Sequence, residues 1–196
     1  ELKGEVLFLA SDKGGQSIVK PADLPSFSAM QSLIMASGLY KYDRNQLAQW
    51  LRNRPMEVNL SITEYIDGMQ ARSKTDGVDD LFSYLYLVLN KQRFDKQIFD
   101  KWLQRKRYIY DSKPQQGREA VDREISELLN PITEANPRED NAFYDKMKLS
   151  DLPRLYAEHF GDASQLAGCL VGDISEAEAK RIVTTYLAAL PGNPKA

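Results

Sequence analysis

One histidine, His159, and one cysteine, Cys169, limit the chemistry this chain can do. A catalytic zinc site needs about three protein ligands, usually with histidine among them. His159, in AEHFG near a predicted helix end, has no second histidine and no cysteine partner, and it is read as a partly exposed helix-terminal residue. A lone cysteine allows no internal disulfide and no thiolate cluster. Beside Leu170 and Val171, Cys169 is expected to be a small buried apolar residue. A Ser-His-Asp triad would have to use His159, and no G-x-S-x-G elbow presents a serine. Asp and Glu total 28, so paired-carboxylate chemistry stays open, but no spacing singles out a pair and most must be solvated surface charge.

Two glycine sites raise the question of phosphate binding, Gly14-Gly15 and Gly172-Asp173. Neither has the G-x-G-x-x-G or G-x-x-x-x-G-K-[ST] spacing, and Asp173 at a helix entry repels an anion. Both read as turns. Lys101, Arg105, Lys106 and Arg107 are interleaved with Trp102, Tyr108 and Tyr110, a mixture that can grip single-stranded nucleic acid. Spread around a helix they more simply form a solvated face, and the net charge of -2 supplies no attracting field. The strand-like stretch Met56, Val58, Leu60 and Ile62 is a candidate of another kind. At a sheet edge it would take up an extended peptide through its main chain; inside a sheet it would be covered by a neighbour.

The elements that hold these residues follow from pattern. With 196 residues, 42% hydrophobic and 28% charged, the chain is expected to be one domain over residues 1–196, without a membrane span. EVLFLA (residues 5–10) reads as a buried strand. LPSF opens a helix closed by Gly38, and Asp43 caps a second. Met56 to Ile62 alternates with Glu57, Asn59 and Ser61, which marks a half-wet strand, and Tyr65 to Arg72 is expected to pair with it as a hairpin. Helices follow over Asp79–Leu89, over Phe94–Tyr110 with Ile98, Trp102 and Ile109 inward, and over Glu119–Leu129, with Pro114 and Gly117 as breakers between the last two. Asp151–Phe160 is a short helix and Leu166–Val171 a second buried strand. Ser175 and Glu178 form an S-x-x-E capping box for a last helix with Ala179, Ile182, Val183, Tyr186, Leu187 and Leu190 on one stripe. Strands with clustered helices between them predict an α+β fold, a mostly antiparallel sheet covered by helices in two layers.

The string FGDASQLAGCLVGDISEAEAKRIVTTYLAALPG resembles the close of a structural unit in the pitrilysin/insulinase family of inverted-zincin metallopeptidases. The matching pieces are Phe160 to Ala163, Val171-Gly172-Asp173, Tyr186-Leu187 and Leu190-Pro191. SDKGGQS, ADLPSF, SGLY, the hairpin WLRNRPMEVNLSITEYIDGMQARS and the helices from DDLFSYLYLVL to FDKWLQRKR resemble the rest of the unit, so nearly the whole chain is covered. The unit's opening strand is expected to be missing before Glu1.

In that family an H-x-x-E-H motif on the first helix binds zinc, with a further Glu downstream. Aligned on FSAMQSLIMASG, the motif falls on Ala29, Ser32 and Leu33, and the distal Glu falls near Arg105 to Tyr110, where no carboxylate stands. The resemblance therefore implies a non-catalytic domain, most simply the first domain of the C-terminal half of a four-domain peptidase. It would hold no zinc itself, with zinc expected in a catalytic domain of the parent chain. Its implied role is to wall the substrate chamber and position peptide or unfolded protein for that domain. Its partners would be the other domains, with no nucleic acid or membrane span, and its setting periplasmic. Two rival readings are a non-catalytic scaffold subunit of the same fold and an adaptor or nucleic-acid module using the 101–107 helix.

Overall fold

A computed structural model describes residues 3–112 and 117–192; Glu1 and Pro114, invoked above, lie outside them. Four strands form one antiparallel sheet in the order β2-β3-β1-β4: β1 (Glu5–Lys13), β2 (Met56–Ile62), β3 (Ile66–Lys74) and β4 (Ala167–Gly172). The alternation in β2 has its expected outcome, with Met56, Val58, Leu60 and Ile62 half-buried and Glu57, Asn59 and Ser61 exposed. β2 and β3 are the predicted hairpin, in register Met56↔Ser73 to Ile62↔Asp67.

Among the described residues, helices cover one face of this sheet only. α1 (Leu24–Leu33), α3 (Val78–Asn90) and α7 (Leu152–Phe160) pack their apolar sides on Val6, Phe8, Ala10, Met69 and Ala71, and the cluster includes Phe27, Met30, Leu81, Phe82, Leu85, Leu152 and Leu155. Phe8 meets Phe82 edge-on at 5.4 Å between ring centroids, the geometry aromatic quadrupoles favour. A smaller cluster of Leu39, Leu47, Tyr84 and Val88 lies under the β2 side and joins α2 (Arg44–Leu51) to α3. The fold is α+β, in two layers with one sheet face bare.

Capping follows the sequence in full at Asp43 and in half at Ser175, where the Glu178 carboxylate accepts from Arg181. Asp43 Oδ1 accepts from the amides of Asn45 and Gln46, and Gln46 reaches back to the Asp43 amide. Asp95 caps α4 (Lys96–Asp111) in the same manner. Its carboxyl is held below the ordinary range, first by the Gln97 amide. α5 (Arg118–Leu129) and a one-turn helix α6 (Asn141–Tyr144) flank the proline-punctuated loop. Ser175 Oγ accepts from the Glu178 amide at the head of α8 (Glu176–Ile182), which runs on as a π turn over Val183–Leu187.

Gly172-Asp173 is a corner. Gly172 has φ +150, and a Cβ there would stand 2.2 Å from the Glu5 carbonyl oxygen. Asp173 then ties the corner down, with its amide on the Glu5 carbonyl and its Oδ2 accepting from the Gly4 amide. Gly14-Gly15 is likewise a turn. Gly15, at φ +65, lets the loop lie against the carbonyl of Thr63, 2.5 Å from where its Cβ would be.

Several burial expectations fail. β4 is an exposed outer strand rather than a buried one, and Cys169 on it is exposed. Its side chains are apolar, but a strand is only as buried as what lies beyond it, and among the described residues no further strand pairs with its outer side. His159 is buried at 7% relative exposure, because the last turn of α7 faces the sheet. Ile109 and Val183 are close to half exposed, since the ends of their helices run past the core.

Candidate peptide-binding edge and open sheet face

The hydrogen-bond alternation of an antiparallel pair decides which main-chain groups of β2 are free. Thr63 N donates to Ile66 O at 2.9 Å. Counting back by twos, Ser61, Asn59 and Glu57 exchange ladder bonds with Gly68, Gln70 and Arg72. The N–H and C=O groups of Met56, Val58, Leu60 and Ile62 then point away from β3, toward the sheet edge. Both ends of this row are closed. Met56 N donates to Arg54 O at 2.7 Å, and Gln31 Nε2 of α1 donates to Ile62 O at 3.0 Å. The open stretch is Val58 to Leu60. Side chains of the four apolar residues are directed at the helix layer, so an added strand would meet their backbone and find its inward side chains over the same apolar floor.

The bare face of the sheet is ordered in rows. Across β2, β3, β1 and β4 the outward residues are Glu57, Arg72, Leu7 and Val171; then Asn59, Gln70, Leu9 and Cys169; then Ser61, Gly68, Ser11 and Ala167. The lower two rows are uncharged and floor a shallow depression of about 550 Å³. Gly68 has a structural reason to lack a side chain there, because a Cβ would come 2.7 Å from Ser61 Oγ. In the upper row Arg72 pairs with Glu5, a bond that holds its guanidinium firmly protonated. The face is thus polar over β2 and β3 and apolar over β1 and β4, where Leu9 and Val171 are 42% and 46% exposed.

Sequence comparison finds no matching family model and no matching curated protein. Structure comparison finds many. The chain superposes on the periplasmic protease PqqL from Escherichia coli with a TM-score of 0.83 at 11% identity, over 97% of this chain and 21% of that one. A mutant of the ferredoxin protease FusC, solved with Arabidopsis ferredoxin, gives 0.80 at 14% identity over 97% and 21%. A peptidase M16 inactive domain from Pseudomonas fluorescens gives 0.74 at 16% identity over 98% and 47%. The chain has the pitrilysin/insulinase-type domain fold. It spans about a fifth of the two proteases and about half of the inactive domain.

In a pitrilysin/insulinase-type domain the first helix would bear the metal motif, and here it does not fit zinc. Ala29 and Leu33 are buried at 0% and 3% and belong to the main apolar cluster, while Ser32 is exposed beside them. Neither alanine nor leucine has a donor atom. Among the described residues no group of three or more His, Cys, Asp or Glu side chains is placed to hold a metal ion, and no helix is long and apolar enough to cross a membrane.

The basic helix is partly neutralised where it lies. Arg107 pairs with Asp145 at 2.6 Å and Lys106 stands 3.5 Å from Glu139, over the Trp102 ring. Lys101 and Arg105 are solvent-exposed.

His159 has a partner that sequence reasoning missed. Its Nδ1 lies 2.8 Å from Asp67 Oδ2, with both side chains almost wholly buried, and the Phe27 ring lies against the imidazole at 5.0 Å between centroids, tilted by 36°. Asp67 is the first inward residue of β3, so the pair fastens the end of α7 to the turn end of the hairpin. An aspartate in an inward strand position was the available signal, because such a group is rarely buried alone.

Proposed function

We propose that this chain is a catalytically inactive domain of a zinc-protease-like protein. It walls a substrate chamber and holds peptide or unfolded protein in extended form for a separate zinc-bearing domain, in the place of the first domain of the C-terminal half and in a periplasmic setting. The observation that carries this reading is the free main-chain row of Val58 to Leu60 at the β2 edge, next to a bare sheet face. A row of unpaired amides and carbonyls over an apolar floor is what strand addition requires. The inactive-domain neighbour supports the non-catalytic part, as do the sealed motif positions Ala29 and Leu33.

The test is a titration of the chain with an unstructured peptide, followed by the backbone amide signals of β2. Val58 and Leu60 should shift and gain protection from exchange, and the peptide should remain uncut. Shifts confined to the basic helix, or hydrolysis abolished by a chelator, would contradict the reading. Binding only to another folded chain, with β2 unperturbed, would favour the scaffold-subunit alternative.

A further inference from the structure

α5 turns its polar side to the domain and its apolar side to solvent. Ala120 is buried, and on the same side of the helix Glu127 pairs with Arg138 at 2.7 Å. Val121, Ile125, Leu128 and Leu129 make one stripe at helical spacing on the other side. All four are exposed, Leu128 by 80% and Leu129 by 76%. A helix packed only for its own domain would point this stripe inward, and contiguous apolar surface rimmed by charge marks an interaction site.

α4 lies beside it, with Tyr110 sharing a pocket of about 360 Å³ with Arg123, Ser126 and Glu127 of α5. The outer side of α4 carries Lys101, Arg105, Tyr108 and Ile109, all exposed. The exposed charges on α5 beside its stripe have the opposite sign, Asp122 and Glu124. Asp122 is held only loosely, by Arg118 at 3.8 Å, and no ion pair among the described residues engages Lys101, Arg105 or Glu124. The order along the two helices is the same. Lys101 and Arg105 precede Tyr108 and Ile109, as Asp122 and Glu124 precede Leu128 and Leu129. Laid parallel, the outer faces match charge to opposite charge and apolar pair to apolar pair. Within one chain α4 and α5 meet through other residues, so the match can be made only between chains.

We infer that this two-helix face binds a second copy of the chain, with α4 of each copy on α5 of the other. Each copy supplies one basic face and one acidic, apolar face, so a two-fold axis satisfies both contacts at once. Leu128 and Leu129 form the buried centre with Tyr108 as its aromatic anchor. The charges set the register and reject like-charged pairings. The inference does not depend on the reading of the β2 edge.

Sedimentation of the chain across a concentration series tests it. A monomer–dimer equilibrium is expected, with a Kd at or below about 100 μM. Leu128→Glu, at an exposed position, should weaken association at least about tenfold with an unchanged unfolding temperature. Charge reversal reads the helix pairing directly. Lys101→Glu with Arg105→Glu leaves both faces acidic, and Asp122→Lys with Glu124→Lys leaves both basic. Each double variant alone should be monomeric, while their equimolar mixture should form heterodimers. A chain that is monomeric throughout the series would overturn the second copy as occupant and leave the stripe to another domain. Dimers that survive Leu128→Glu would put the contact elsewhere and overturn the inference too. If either reversed variant dimerises alone, or the mixture stays monomeric while the unaltered chain dimerises, the pairing of α4 on α5 is wrong.

Discussion

His159 and Asp67 are separated by 92 positions, and their contact explains both what the sequence hides and what a substitution should do. A helix-end pattern tells which residues lie in the last turn, but it cannot tell which strand residue waits opposite. Asp67 Oδ1 and His159 Nε2 have no hydrogen-bond partner among the described residues, so the bond between Nδ1 and Oδ2 is what offsets the cost of burying both groups. His159→Ala should therefore lower unfolding stability by about 3 kcal/mol, because it leaves a buried carboxyl with neither oxygen satisfied. Replacing both residues with alanine should cost less than the sum of the single changes. Strict additivity in urea denaturation would show that the two groups are not coupled. Asp79 offers a residue-scale test in pH. The Tyr186 hydroxyl, and then Arg181, hold its carboxyl below its ordinary value. A depressed folded-state value stabilises the protein above the unfolded-state pKa, and that contribution is lost as pH falls through the folded value. Asp79→Asn should flatten the acid limb of stability below about pH 4, measured by denaturant midpoints across that range. Parallel curves for the two proteins would refute it.

At the level of elements, both β2 and β4 were legible as strands, but the burial of β2 was legible and that of β4 was not, for one physical reason. Alternation of Met56, Val58, Leu60 and Ile62 with polar residues reports a wet face and a dry face, and both exist within the strand's own pattern. Burial of AGCLVG depends instead on whether a neighbour lies beyond it, which no property of those six residues encodes. The hydrogen-bond parity of β2 leads to a sharp contrast. Val58 N faces the open edge, so Val58→Pro should fold with a modest loss of stability and abolish strand addition. Asn59 N bonds to β3, so Asn59→Pro should remove a ladder bond and cost markedly more. Equal destabilisation, by thermal unfolding of the two variants, would mean that the parity assigned to β2 is wrong. The corner at Gly172 is a second element-scale test. A side chain there collides with the Glu5 carbonyl, so Gly172→Ala should cost about 2 kcal/mol and loosen the β1–β4 pairing. A variant as stable as the parent, with β4 amides equally protected from exchange, would contradict that account.

For the whole molecule, the decisive feature is that one side of the sheet is committed to a core and the other is left bare. The resemblance in sequence aligns the family's metal-motif positions with Ala29, Ser32 and Leu33 of α1, and the fold gives two of these residues another task. Ala29 and Leu33 sit within the layer that joins α1 to the sheet and are part of the core. Burying Leu33 contributes about 2 kcal/mol, and a histidine in its place would lose that contribution and bury a polar ring without an evident partner. The variant Ala29→His, Ser32→Glu, Leu33→His should consequently be destabilised by about 3 to 5 kcal/mol rather than rescued by metal. Residues 105–110, RKRYIY, supply no carboxylate to complete a site. Titration calorimetry should find no stoichiometric zinc uptake by this 196-residue chain or by its triple variant, and the variant's unfolding temperature should not rise with added zinc, as it must if metal bound only the folded state. A triple variant that folds as stably as its parent and takes up one zinc would mean that α1 still has room for the motif. The division of labour proposed here, with a separate domain for the chemistry and this one for the grip, would then lose its structural basis.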